Sequence, residues 1–201
     1  MIEGVPALSL LLIGCFAAVP FPTLLPSQRA IDSEYKTVHH NLSPLKKYHF
    51  DITIPKDWET LDVAIVDEPQ GMEPREVAAF RQPGAWQSDS TVAAGAEVSV
   101  TVLRSSGAIK NGDTALQWLR TILDGTSAGY TILEHRTIVA QGIESADVLI
   151  RYGGEEPVIA RFRVLPTADR RVFVITASAP LAEYQRVATE LLTAIATFEI
   201  K

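Results

Sequence analysis

From residue 46 onward the sequence predicts an α+β fold: a twisted antiparallel sheet of six to seven strands flanked by helices, an α/β/α sandwich. Three observations carry that expectation. Lys47-Tyr48-His49-Phe50-Asp51-Ile52-Thr53-Ile54 alternates polar and apolar residues without a fault, the period-two signature of a half-buried strand. Six further strand-like runs follow, joined by turns short enough to imply antiparallel pairing. Two amphipathic segments then supply the helices that must cover strands with two apolar faces.

In order, Pro55-Lys56-Asp57-Trp58 stops the first strand in a turn. Strands are expected at about 75–81, 97–103, 130–139, 143–152, 157–165 and 171–178. Val98, Val100 and Val102 alternate with Glu97, Ser99 and Thr101, whereas Val172, Phe173, Val174 and Ile175 are apolar on both parities. The last of these therefore belongs at the centre of the sheet, covered on both faces. Keeping Val148 and Ile150 on the side of Val158, Ala160 and Phe162 places Ile150 opposite Val158 and Asp147 opposite Arg161, across a turn of about three residues at Gly153-Gly154-Glu155. Asp113 or Thr114 can cap the first helix, which carries Leu116, Leu119 and Leu123 on one stripe, with Trp118 and Ile122 beside it. Pro180 suits the first turn of the second helix, which turns Tyr184, Val187, Leu191 and Ile195 inward.

The N-terminal 27 residues differ in kind. No charged residue occurs from Gly4 to Ser27, and prolines 6, 20, 22 and 26 bracket the apolar run. A helix confined to 7–19 would reach roughly 20 Å, short of the ~30 Å hydrocarbon core, so residues 1–27 read as a signal peptide or membrane anchor. Glu3, with no Lys or Arg before the run, departs from the usual positive start. Leu12-Ile13-Gly14-Cys15 resembles a bacterial lipobox and uses the single cysteine of the chain, making Cys15 the candidate lipidation site. Cleavage near Ala17-Ala18 and an uncleaved anchor stay open as alternatives. Residues 28–45 lack a period and read as a linker, and adjacent His39 and His40 point apart and make a poor chelate.

The segment Phe50-Asp51-Ile52-Thr53-Ile54-Pro55-Lys56-Asp57-Trp58 resembles the F-x-I-x-I-P-x-x-W opening of PsbP-like and DcrB-like domains. Thr176-Ala177-Ser178-Ala179-Pro180 is similar to the strand-to-helix junction of the same superfamily, and the helix closing on Ala196-Thr197-Phe198 also matches. The likeness covers 46–201. Its members include extrinsic photosystem subunits, Ran-binding proteins, bacterial lipoproteins and chaperones of secreted effectors. The resemblance therefore implies a non-catalytic binding or accessory role without choosing a partner.

Composition narrows function further. A hydrophobic share of 47% and a charged share of 21% exclude wholesale disorder. A formal net charge of −6 argues against nucleic acid as a partner, and one cysteine leaves no intramolecular disulfide or multi-cysteine zinc site. The nucleophile-elbow, phosphate-loop and zincin motifs do not occur, so no catalytic residue, metal ligand or cofactor is assigned. His49 and Asp51 share a polar strand face and would make at most a weak metal site. Arg151, Arg161, Arg163, Arg170 and Arg171 tint the later strands positive, with Asp147 and Asp169 placed to neutralise them. The longest stretch without periodicity inside the domain, residues 83–95, carries Trp86 and Gln87, and tryptophan is enriched at binding hot spots. Trp86, Gln87, Arg161 and Arg163 are the candidate partner-binding residues. The expectation is an exported protein on the extracytoplasmic or periplasmic face of a membrane, lipid-anchored, that binds a protein partner or membrane complex. A small-ligand carrier or enzyme with a site between sheet and helix, and a cytoplasmic chaperone of a secreted effector, are the other readings the residues leave open.

Overall fold

The computed structural model describes residues 25–41, 48–61, 63, 74–84, 95–105, 107–126 and 129–201. A seven-stranded antiparallel sheet forms the middle layer. Its strands are β3 (Glu59–Leu61), β4 (Arg75–Arg81), β5 (Glu97–Arg104), β6 (Tyr130–Ala140), β7 (Ile143–Tyr152), β8 (Val158–Pro166) and β9 (Arg171–Pro180), in the spatial order β3-β4-β5-β9-β8-β7-β6. The doubly apolar strand β9 takes the central place, as its two-sided pattern requires. Helix α2 (Gly112–Asp124) covers one face. Helix α3 (Leu181–Thr197) covers the other, together with a small sheet made of β1 (Tyr35–His40), β2 (Phe50–Pro55) and β10 (Glu199–Ile200). Among the described residues no helix is long and apolar enough to cross a membrane.

Two cores follow from this layering. Between the sheet and α3 lie Phe50, Ile52, Ile54, Val98, Val100, Phe173, Ile175, Tyr184, Leu191 and Phe198. Between the sheet and α2 lie Leu103, Leu119, Leu123, Val148, Ile150, Phe162, Val164 and Val174. The expected strand at 47–54 is described from Tyr48 on and forms β2 from Phe50, burying Phe50, Ile52 and Ile54 as the pattern demands, but β2 belongs to the small sheet rather than the large one. Phe198 ties the layers together, with ring centroids 5.0 Å from Phe50 and 5.7 Å from Phe173.

Four expectations are corrected. The segment 28–45 is not a linker over its first part: Gln28–Glu34 forms α1, capped by the Ser27 hydroxyl, and Tyr35–His40 is β1, paired to β2 along its whole length. β1 escaped notice because Val38 is its one aliphatic residue. His40 serves as a flat apolar ring instead, buried and stacked on Phe50 at 4.5 Å and 8°. The cap of α2 is Asn111 rather than Asp113 or Thr114, and Thr114 takes part from the third helical position, where Asn111 and Thr114 satisfy each other's backbone N–H groups.

The third correction concerns register. Ile150 pairs with Ala160 and Asp147 with Arg163, a shift of two residues from the expected pairing. The turn therefore spans 153–157. Pro157 has no N–H with which to extend the ladder, and Gly153 donates instead to the Gly129 carbonyl at 2.7 Å. An even shift preserves which side chains face which layer, so Val148, Ile150, Ala160 and Phe162 still share one core. The fourth correction, the burial of two arginines, concerns the site itself.

Candidate functional site

β7 and β8 are both interior strands of the large sheet, so a charged residue at the middle of either meets side-chain layers rather than water. Asp147 on β7 is directly opposite Arg163 on β8, with Arg161 one step away on the same face. The Asp147 carboxylate is fully buried and accepts from Arg161 Nε at 2.8 Å, Arg161 Nη2 at 3.0 Å and Arg163 Nη2 at 2.8 Å. Arg136, reaching in from the edge strand β6, stands 4.0 Å from the same carboxylate. Arg163 Nη1 donates to the Ile195 carbonyl at 2.6 Å, satisfying an otherwise open acceptor near the end of α3.

Arg161 and Arg163 were expected at a partner-binding surface, but the residues are 2% and 7% exposed. The reason is position: each occupies an inward register place on a covered strand, and a charge there is tolerable only when paired and hydrogen-bonded. Burial alone would push the Asp147 carboxyl up. The hydrogen bonds and charges of Arg161 and Arg163 outweigh that and hold it below the ordinary carboxylate range. Burial lowers the Arg163 guanidinium from its usual value, against the raising influence of Asp147.

Above Arg163 a groove of about 470 Å³ runs between the end of β6 and the end of α3, lined by Ile138, Val139, Ala140, Gln141 and residues 196–199. Val139 on its lip is 74% exposed. Gln141 spans the gap, its Nε2 donating to the Phe198 carbonyl and its Oε1 accepting from Ile200 N at 2.9 Å. It sits at φ 54° beside Gly142 at φ 74°, so the Gln-Gly pair between two strands was a hairpin signal present in the sequence; its clamp on the C-terminal strand was not. A second cavity of about 440 Å³ lies between Gly107, Ile109 and Lys110 and the β8–β9 turn at Thr167, Ala168 and Arg170.

The remaining candidates separate. Cys15, Trp86 and Gln87 lie outside the described residues. Asp51 is bonded to His39 Nδ1 at 2.7 Å and to Lys201 Nζ at 2.9 Å, so its oxygens are turned to those two side chains, and among the described residues no three His, Cys, Asp or Glu side chains gather as a metal set. Arg171 pairs with Asp169 at 2.6 Å, as the sequence suggested, and its guanidinium also lies 6.0 Å from the Tyr48 ring centroid.

No protein-family model matches the chain, and no curated protein matches it significantly. Solved structures do. LpqN of Mycobacterium tuberculosis, described as involved in cell envelope biogenesis, aligns at TM-score 0.57 and 13% identity over 88% of this chain and 98% of its own. The cyanobacterial PsbP (CyanoP) of Synechocystis sp. PCC 6803 aligns at TM-score 0.53 and 13% identity, covering 84% and 93%. The Saccharomyces cerevisiae Ran-binding protein Mog1p aligns at TM-score 0.50 and 14% identity, covering 83% and 95%. This chain has the PsbP-like fold that its opening strand and strand-to-helix junction implied.

Proposed function

We propose that this chain is an exported, membrane-tethered accessory protein without catalytic activity, which docks onto a protein partner or membrane complex. One observation carries the reading: the use made of the interior. Both faces of the large sheet are filled by apolar side chains, and the ionisable groups between β7 and β8 are locked onto one another. A fold whose inner charges serve its own cohesion does its work at the surface. His49 and His135, which would mark a polar ligand site between layers, are partly and largely exposed respectively.

Fold relatives named as Ran-binding and as involved in cell envelope biogenesis support a binding role of this kind. The uncharged run ending at Cys15 supports export. Trp86 and Gln87, in sequence between β4 and β5, are the proposed partner contacts, and Cys15 the proposed lipid attachment.

Two measurements test the proposal. Intact-mass analysis of protein from its native host is expected to show loss of the leader and a lipid-sized addition on Cys15; full-length cytosolic protein starting at Met1 would refute export. Crosslinking capture from native membranes is expected to recover a partner with the wild type and much less of it with Trp86→Ala, at unchanged melting temperature. A loss of stability of about 3 kcal/mol or more would instead identify Trp86 as a packing residue.

A further inference from the structure

The two edges of the large sheet are finished differently. β3, at one edge, is three residues long, short enough to offer little to another chain. β6, at the other, runs for eleven residues without a proline, and among the described residues β7 is its one partner strand. An edge strand of that length leaves a row of backbone N–H and C=O groups open to pairing. Their positions follow from the turn. Gln141 and Gly142, at φ 54° and 74°, form a two-residue loop that closes on Ala140 and Ile143, and a turn of this kind makes that pair a hydrogen-bonded one. Alternation along the ladder then turns the backbone groups of Val139, Thr137 and His135 outward. All three residues are exposed, Val139 at 74%. Beyond them the register shift between Ile132 and Glu134 is a bulge, which bends the strand and interrupts regular pairing. Residues 134–140 are therefore the usable edge.

The groove between the ends of β6 and α3 opens beside this edge. Ile138 and Ala140 line it from β6, and Ala196 and Phe198 from the other side. Arg136 pairs with Asp147 and Ile138 with Ser145, two places apart on β7. Asp147 binds Arg163, which in turn donates to Ile195 of α3. The even-numbered residues from 134 to 140 thus face α3 and the groove. We propose that the β6 edge takes an extended segment of a partner protein as a further antiparallel strand, with an apolar side chain opposite Ile138 reaching into the groove. Main-chain hydrogen bonds to His135, Thr137 and Val139 supply the affinity of such an added strand, and the groove supplies its selectivity. A second copy of this chain fits less well. Two-fold pairing of β6 with itself uses all seven places only by setting Arg136 opposite Ile138, which sends a guanidinium toward the groove where an apolar group belongs. Centred on Arg136, the same pairing puts two arginines opposite one another, a like-charge arrangement that destabilises a sheet. Centred on His135, it brings Glu134 opposite Arg136 but meets the bulge after three places, and centred on Ile138 it gives up Glu134 and His135. An unlike segment with a long aliphatic residue at that one place carries none of these costs. The site goes beyond the docking reading above and does not rest on export, on the tether or on Trp86.

The probe is a fluorescein-labelled peptide, Thr-Val-Leu-Thr-Ser-Thr-Lys, whose leucine falls opposite Ile138 when the peptide runs antiparallel to 134–140. Binding is read by anisotropy on the full chain. N-methylation of its second, fourth and sixth residues removes the amides that face β6, and N-methylation of the third, fifth and seventh removes those that face away. Affinity is expected to fall at least tenfold with the first set, less than threefold with the second, and at least fivefold when the leucine is replaced by serine. On the protein side, Val139→Pro removes one outward N–H without touching a ladder bond to β7 and is expected to weaken the peptide at least fivefold, while Val139→Thr leaves it within twofold. Melting curves check both variants; if Val139→Pro melts early, the methylated peptides, which leave the protein unchanged, decide alone. No binding of the unmethylated peptide at 1 mM, equal losses with both methylated forms, or indifference to the leucine overturns the proposal. So does a wild-type dimer in sedimentation velocity that Val139→Pro converts to monomer, which gives the edge to a second copy. Trp86→Ala is expected to bind the peptide as the wild type does, so failure of this site and failure of the Trp86 reading are distinguishable.

Discussion

Replacing Asp147 with asparagine tests whether the buried ion cluster holds the sheet to α3. Asparagine keeps the shape and one acceptor oxygen but loses the charge, and turns an amide N–H₂ toward a guanidinium. The side chain is 0% exposed, with Arg161 and Arg163 at 2% and 9%, so water cannot replace what is lost. Removing one member of a buried ion pair costs about 3–5 kcal/mol because the other charge remains buried. For a chain of this size each kcal/mol moves the melting temperature by about 2–4 °C, so the midpoint is expected to fall by roughly 6–20 °C. Urea unfolding with unchanged m would show that stability, not compactness, has changed. The sign of the pH dependence follows from the depressed carboxyl of Asp147. Its contribution is fully present above the unfolded carboxyl value of about 3.9 and is lost as pH falls through the lower folded value. The gap between wild type and Asp147→Asn should thus stay constant from pH 7 to 5 and narrow below about pH 4. Arg163→Met added to Asp147→Asn removes one of the stranded cations and should recover part of the loss. A cost below about 1 kcal/mol at pH 7, or a gap that widens in acid, would refute the account.

Other substitutions probe the layers separately. A Cβ at Gly112 would lie 2.5 Å from Thr137 Cγ2 and 3.0 Å from the Ser145 carbonyl, so Gly112→Ala should cost about 1–3 kcal/mol, partly restored by Thr137→Ser; full tolerance in a thermal melt would show that α2 can lift from β6 and β7. Asn111→Ala removes the cap of α2 and should cost about 1 kcal/mol by urea titration; no change would make the Thr114 hydroxyl the sufficient cap. Phe198→Ala unlinks the small sheet from the large one and should cost about 3–5 kcal/mol, with early loss of amide protection in β2 and β10 by hydrogen exchange; uniform loss would show that the small sheet is not a separate unit.

The parts of the fold legible in the sequence were those that repeat a local rule. Val172–Ile175 could only be central, and Phe50, Ile52 and Ile54 could only share a buried face. The parts that were illegible depend on partners distant in sequence. β1 becomes a strand because β2 offers it six register partners, and one of its two buried residues, Tyr35 and His40, is a histidine that counts as polar in any pattern. Burial lowers that imidazole from its ordinary value, favouring the neutral ring that stacks on Phe50. The hairpin register slipped because the turn was placed on its glycines, while Pro157 and the Gly153–Gly129 hydrogen bond set its true length.

The two buried arginines are a different case, because their fate was written in the strand and needed only the right comparison. Ile159, Arg161, Arg163 and Leu165 share one parity of β8, and Ile159 and Leu165 are fully buried. Val158, Ala160, Phe162 and Val164 make the opposite parity apolar too, so neither face of this strand is free for solvent. An arginine set between inward aliphatic residues on a doubly covered strand has to be internal, and an internal arginine needs a carboxylate within reach. The neighbouring strand shows the complement: Asp147 lies between Ser145 and Leu149, both buried, on one parity of β7. Counting these arginines as surface charge treated composition as position. Arg104, Lys110 and Arg170 lack such framing, being at a strand end or in turns, and all three are exposed.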